Sequence, residues 1–279
     1  MKPWIWLDKQ PIPSESAPWI QSRAFRYGDG VFETMRVQSG KVLFPELHFQ
    51  RLQKGISVLG LQVSQFHNYL EWLDMLNEML RLNNIQKGGK IRFQVYRSGI
   101  GLDLPITDEA GVSIICDELL HNQYAVRKPI SACIAQSVQI HPGLLTQIKS
   151  ANRLHYIMAA REAKQYNKDT ALIMNSQEQI VDSVSANICV LDEDGIFLIP
   201  SSKFGALPGV MVENIKSILL KMDYKIQDNT ISLQQLQSAQ QVFICNVISG
   251  ILPIASVSIP NVGVISYKTA LAAQITQKL

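Results

Sequence analysis

The chain has 279 residues, of which 18% are charged, and a formal net charge of +3. That length exceeds a typical small domain and points to about two, each large enough to bury a core. The near-even charge balance excludes a field strong enough to recruit nucleic acid or an anionic membrane, which leaves small molecules or a second copy of the chain as partners. Cys116, Cys133, Cys189 and Cys245 stand far apart without a C-x-x-C pair, three of them in apolar strand-like runs. They are read as buried thiols in a reducing compartment, neither disulfides nor metal ligands. Trp4-Ile5-Trp6-Leu7 is too short for a signal-peptide core and runs straight into Asp8 and Lys9. The longest apolar stretch, 242–259, is interrupted by Asn246, Ser249, Gly250 and Pro253 and is read as two buried strands rather than a membrane span. The expectation is a cytoplasmic protein.

In chain order, residues 4–7 with Ile12-Pro13 predict a short strand and turn. Gly28 and Gly30 then let the backbone turn tightly into a β-rich run over 31–37, which Ser39-Gly40 folds back as a hairpin. Pro45 opens a helix through 59 that sets His48, Arg51 and Leu52 on one face, so Arg51 can point inward. A second helix carries Tyr69, Trp72, Leu73, Leu76, Met79 and Leu80 as a core stripe. Strands are expected at 90–96 and 112–116, joined by the Gly- and Pro-containing loop 98–107. The pattern lapses into polar residues over 119–128, which divides the chain into an N-terminal α+β domain (1–118), a linker (119–128) and a C-terminal α/β domain (129–279).

The second half predicts a strand at 130–136, then Lys149, then a helix with Leu154, Ile157, Met158 and Arg161 on one face. Strands at 171–174, 187–191 and 196–199 are read as a meander joined by polar turns. After Leu207-Pro208-Gly209 a helix carries Ile215, Ile218, Leu219 and Met222, and its first amides could hold a phosphate. Pro and Gly ahead of a helix are equally what an ordinary helix start contains. Strands at 241–246 and 251–257 precede a terminal helix from 266.

Two groups in this half suggest chemistry. Lys149 stands just ahead of a helix, and Asp182 stands in Val181-Asp182-Ser183, just ahead of a strand. An amine that condenses with an aldehyde and moves protons, and a carboxylate that keeps a pyridine nitrogen protonated, are what a pyridoxal phosphate (PLP) enzyme needs. A solvated lysine and an Asp-Ser turn would look the same.

The motifs taken together decide between these. Tyr27-Gly28-Asp29-Gly30-Val31-Phe32-Glu33-Thr34, His48-x-x-Arg51-Leu52, Lys149, Ser185-Ala186-Asn187 and Leu207-Pro208-Gly209 occur in this order. They resemble the class IV PLP-dependent aminotransferases, a family that includes branched-chain and D-amino-acid aminotransferases and aminodeoxychorismate lyases. The resemblance implies the two-domain α+β class IV fold (fold type IV), a homodimer, and PLP at the domain interface. It further implies that Lys149 is the catalytic lysine that binds the cofactor covalently, that Arg51 grips the phosphate, and that the helix start at Gly209, Val210 and Met211 contributes main-chain amides. Several family members have threonine where Met211 stands. Asp182 matches the carboxylate facing the pyridine nitrogen, where the family has glutamate, so the side chain is shorter by one carbon-carbon bond, about 1.5 Å. The same resemblance places Asn246 and Val247 beside the cofactor and Ile248 beside the substrate.

Lys149-x-x-Asn152-Arg153-Leu154 and Phe243-Ile244-Cys245-Asn246, followed by Leu252-Pro253-Ile254, resemble the lyases. Branched-chain aminotransferases place a tyrosine where Leu154 stands. The segment after Arg97 lacks the Gly-Arg-Gly-Tyr of lyases, so a substrate carboxylate needs another cation. Arg92, Arg97, Arg26 and Arg153 are the candidates, with Tyr27 as a further substrate contact. The expected reaction is that of an aminodeoxychorismate lyase, with amino transfer as the second reading and PLP binding without turnover as the third.

Overall fold

The computed structural model describes residues 4–99 and 107–279. The expected substrate loop 98–107 therefore lies for the most part outside the described residues. Strands β1 (Trp4–Leu7) and β2 (Gln10–Pro13) form a separate hairpin. Ahead of the expected β-rich run lies a short helix, α1 (Arg23–Tyr27), which the Ser22 side chain caps by accepting from Phe25 N and which Gly28 ends at φ +64°.

Beyond that helix, β3 (Gly30–Gln38), β4 (Lys41–Val42), α2 (Pro45–Leu59), α3 (Tyr69–Leu82), β5 (Gly88–Arg97) and β6 (Ala110–Glu118) form an antiparallel sheet in the order β4-β3-β5-β6, covered by the two helices. The α3 stripe packs as expected, with Trp72, Leu76 and Leu80 buried against Ile91, Phe93 and Val95 of β5. Alternation along β5 leaves Lys90, Arg92, Gln94 and Tyr96 for the opposite face.

A nine-stranded sheet holds the rest of the chain, after the connection 119–129. Its elements are β7 (Ile130–Ile140), α4 (Leu154–Gln165), β8 (Thr170–Asn175), β9 (Ile180–Ser183), β10 (Asn187–Leu191), β11 (Ile196–Leu198), α5 (Val210–Lys221), β12 (Lys225–Gln227), α6 (Leu233–Ser238), β13 (Gln241–Asn246), β14 (Gly250–Ile259), β15 (Gly263–Ser266) and α7 (Ala270–Thr276). The order is β12-β11-β10-β13-β14-β7-β8-β9, with β15 on β14. Of the meander expected from the turns, only the last step is present: β10 pairs antiparallel with β11, but β8 lies between β7 and β9 instead of beside β10, β7 pairs in parallel with both β8 and β14, and β11 pairs in parallel with β12. Strand β9 ends the sheet, yet only residues 184–186 separate it from β10, five places along the order. So short a link curls the sheet toward a barrel. Alternate residues then bury on both faces: Val242 and Ile244 of β13 turn to one cluster, Phe243 and Cys245 to the cluster under α5 and α7.

The buried face of α4 differs from the expected one. Tyr156, Ala159 and Ala163 pack on β7 and β8, while Leu154 and Ile157 are exposed. Alanines let the helix approach the strands closely, and size outranks hydrophobicity in choosing the inner face. All four cysteines are free, and three are buried. No helix of the described residues is long and apolar enough to cross a membrane.

Candidate active site

A cavity of about 380 Å³ opens between the two sheets. Phe32 and Thr34 of β3 and Arg51 of α2 form one wall; Lys149 and α4 form another; the β9–β10 turn, the start of α5 and the β13–β14 turn complete it.

Lys149 is held by its main chain. Its carbonyl accepts from Phe32 N at 2.9 Å, Ala151 N donates to the Gly30 carbonyl at 2.8 Å, and Ser150 bridges to Val31. The amine lies 4.7 Å from the Phe32 ring centroid. Burial lowers its pKa from 10.5 to about 7, and the charges of Arg51 and Arg153 add to the effect. Near neutrality a good part of Lys149 is therefore a free amine, able to act as nucleophile or base.

Arg51 reaches the cavity from a buried charge network. Glu33 accepts from Arg51 Nε at 2.8 Å and from Nη2 at 2.5 Å, and from His48 Nδ1 at 2.7 Å, while Arg51 Nη1 donates to the Pro208 carbonyl at 2.6 Å. Burial alone would push the Glu33 carboxyl up, but Arg51 and His48 outweigh it and hold it at about 2. Burial lowers the pKa of His48, so it stays neutral and donates through Nδ1. Three of the five guanidinium N–H groups of Arg51 are thus engaged. The two left, one on each terminal nitrogen, form a fork on the side away from Glu33 that suits one phosphate. Beside it α5 starts at Val210 with no side-chain cap, so its first amides, including Val210 and Met211, are open to an anion. Gly209 has to be glycine here: a Cβ would lie 1.8 Å from Asn187 Oδ1, whose amide donates to the Leu207 carbonyl at 2.7 Å.

Asp182 is buried at the other end. Its Oδ1 accepts from Ser183 N at 3.0 Å, and Oδ2 accepts from the Tyr156 hydroxyl at 3.0 Å and, more weakly, from Leu207 N at 3.4 Å. Burial raises its pKa to about 6, against the opposing pull of Arg153 and these donors. The β13–β14 turn is organised by Asn246, whose Oδ1 accepts from Ile248 N and Ser249 N and whose amide donates to the Ser185 carbonyl. The turn is fastened from outside by Arg36, donating to the Ile248 carbonyl at 2.6 Å, and by the Tyr124 hydroxyl, donating to the Val247 carbonyl at 2.6 Å.

The structure brings together Lys149, Arg51, Asp182, Gly209, Val210, Met211, Asn246, Val247, Arg153 and Ile248 around one cavity. Arg92 stands just behind that wall, its guanidinium 3.9 Å over the Phe32 ring. Three residues expected as substrate contacts, Arg97, Tyr27 and Arg26, lie outside this cavity's lining. Arg97 is buried in ion pairs with Asp29 and Asp108 and donates to the Leu59 carbonyl at 2.6 Å, so its charge is already matched. Tyr27 is exposed beside Arg23, outside the cavity lining, and Arg26 is exposed as well. The sequence reading gave no role to Glu33, His48, Tyr156, Arg36 or Tyr124. Glu33 and His48 sit inside quoted motifs and could have been paired with Arg51; nothing local marks Tyr156 or the Arg36–Tyr124 fastening.

An anion cradle, a buried amine of lowered pKa and a buried carboxylate in one cavity match the phosphate, aldehyde and pyridine nitrogen of PLP. A sequence model of the amino-transferase class IV family matches residues 30–257. The chain belongs to this family of PLP-dependent enzymes, and PLP is its cofactor. It is 23% identical over 257 residues to an aminodeoxychorismate lyase of Vibrio harveyi, covering 90% of each chain. It is 25% identical over 253 residues to a D-alanine aminotransferase of Staphylococcus haemolyticus, covering 90% of this chain and 87% of that one. Among solved structures, a branched-chain aminotransferase of Thermoproteus uzoniensis with norvaline superposes with a TM-score of 0.84 at 23% identity, covering 99% of this chain and 92% of that one. The two-domain fold type IV expected from the motifs is therefore the observed one.

Proposed function

We propose that the protein converts 4-amino-4-deoxychorismate to 4-aminobenzoate and pyruvate. The observation that carries this reading is the pair of arginines at one side of the cavity. Arg153 lines it, with its guanidinium 3.3 Å over the Tyr156 ring, and Arg92 stands over Phe32; neither has an ion-pair partner among the described residues. Burial and the charge of Arg153 lower the pKa of Arg92, a repulsion that an anionic substrate would relieve. The proposed substrate carries two carboxylates and a ring that suits the apolar wall of Phe32, Ile157 and Ile248. Leu154 is exposed and supplies no hydroxyl to the cavity, in keeping with the lyase pattern.

When bound, PLP takes up the substrate amine and draws electrons from the carbon that bears it. Lys149 would hold the cofactor and, once displaced, remove the proton from that carbon; its lowered pKa makes it a base near neutrality. Arg51 and the Val210 and Met211 amides would hold the phosphate, and Asp182 would keep a proton on the ring nitrogen. Asn246 would shape the turn whose Val247 and Ile248 close the cavity. We further propose a cytoplasmic homodimer. The exposed Trp4, Trp6, Trp19 and Phe25, together with Leu154 and Ile157 of α4, support burial against a second copy.

A second reading, amino transfer, is favoured by the D-alanine aminotransferase relative, which matches as much of the chain as the lyase does. The purified protein is to be assayed with aminodeoxychorismate and with amino acid and 2-oxoglutarate pairs. Pyruvate release without transamination supports the lyase; amino transfer overturns it in favour of the second reading. Bound cofactor with neither activity overturns both and leaves a PLP-binding protein without turnover.

A further inference from the structure

Asp182 is one carbon shorter than the glutamate expected at its position and stands fully buried, without an ion-pair partner among the described residues. A bare carboxylate so placed would take a proton instead of staying charged. We propose that the Tyr156 hydroxyl aims the Asp182 carboxylate and, together with Arg153 and the Ser183 amide, favours its charged form, which makes Tyr156 a positioning residue for the end of the cavity that receives the pyridine nitrogen. The inference rests on the reading of Asp182 given above and adds a residue that the motifs do not mark.

The geometry follows from the way α4 lies on the sheet. Its alanines bring it close to β7 and β8, and Tyr156, on the same face, then reaches Asp182 of β9 with its hydroxyl 3.0 Å from Oδ2. The shorter side chain holds its carboxylate near β9, within range of that hydroxyl. The other donors to Asp182 are main-chain amides, Ser183 on Oδ1 and the distant Leu207 on Oδ2, so among the described residues the phenol is the one side-chain donor at hydrogen-bond distance. The charged and titratable groups that face Asp182 are Tyr156 from α4, Arg153 and Lys149 from the segment before it, and the Cys245 thiol from β13. Burial pushes Tyr156 far above its ordinary value, so it donates and never competes for negative charge. Arg153, stacked on its ring, fixes the phenol in place. A hydrogen bond to the charged form favours that form, so without the phenol Asp182 would take up its proton more readily near neutrality, although Arg153 and the amide donors still favour the charge, and it would hold a proton on the pyridine nitrogen less well.

The test is a carboxyl ¹³C NMR titration of cofactor-free protein labelled in aspartate, with the Asp182 resonance assigned by its loss in Asp182→Asn. Tyr156→Phe keeps the ring and its stacking, and should raise the Asp182 midpoint by roughly one pH unit, the size expected for one hydrogen bond to a charged group. The pH at which PLP affinity changes should move the same way in that variant. Fluorotyrosine at position 156, a stronger donor, should move the midpoint down, and it serves should the Phe variant fail to fold. An unmoved midpoint in whichever variant folds overturns the proposal. Failure of the parent protein to bind PLP through Lys149 would instead overturn the reading of the cavity, whatever Asp182 does.

Discussion

Glu33 touches neither the amine nor the carboxylate of the site, yet its charge should be felt in stability and in cofactor binding. The Glu33→Gln substitution keeps the size of the side chain and removes the charge that Arg51 and His48 share. Glu33 is held at about 2 against 4.5 for a free glutamate. At about 1.4 kcal/mol per unit, that difference corresponds to roughly 3 kcal/mol of stability at neutral pH. A carboxylate whose folded pKa is depressed contributes in full above the unfolded value and loses its contribution as the pH falls toward the folded one. The parent should therefore exceed the variant by about 3 kcal/mol at pH 7, with the gap closing between about pH 4.5 and pH 2. Stranding one partner of a buried ion pair costs roughly 3–5 kcal/mol in general. Arg51 keeps the Pro208 carbonyl and a cavity to face, which places the expected loss near the lower figure. Urea unfolding across this pH range measures the gap, and titration with PLP should show affinity weakened about tenfold or more as the Arg51 fork loses its fixed aim. A variant as stable as the parent at pH 7, or a gap that stays constant into acid, would refute the assignment of Glu33 as the partner that holds Arg51.

Three further outcomes are expected. Lys149→Met should leave no cofactor fixed to the chain after borohydride reduction; in cofactor-free protein the parent, whose Lys149 titrates at about 7 instead of 10.5, should gain stability as the pH rises between those values, and the variant should lack that gain. Labelling of another lysine, or a flat parent curve, would contradict this. Arg51→Ala should need added PLP for activity, with cofactor affinity reduced by a few kcal/mol, on the order of a charge-assisted bidentate contact; unchanged affinity would make Arg51 only a partner for Glu33. Gly209→Ala should push Asn187 off the Leu207 carbonyl, at about 1 kcal/mol in thermal stability, and weaken PLP binding; unaltered binding would separate the start of α5 from the phosphate.

Much of the site is legible from the residues in order. Arg51, Lys149, Asp182, the Gly209 helix start and the 246–248 turn were expected from spaced motifs, and all of them line one cavity. Such motifs are local: a glycine that must admit a neighbouring side chain, a helix opening after Pro-Gly, and a lysine ahead of a helix each leave a mark within a few residues. The α3 stripe is legible for the same reason, since a period of 3.6 is written along the chain.

What only the tertiary structure decided is pairing and neighbourhood. Parallel pairing of β7 with β8 and β14, and the curl that brings β9 back to β10, depend on strands far apart in the sequence, and no turn between neighbours encodes them. The inner face of α4 went to alanines and Tyr156 because the distance to β7 and β8 sets the size of side chain that fits. Arg97 and Arg153 are indistinguishable as residue types, but one lies between Asp29 and Asp108 and the other faces the cavity. The partners of a charge come from the fold, because a guanidinium carries no local signal of which carboxylate, carbonyl or open space will be brought beside it.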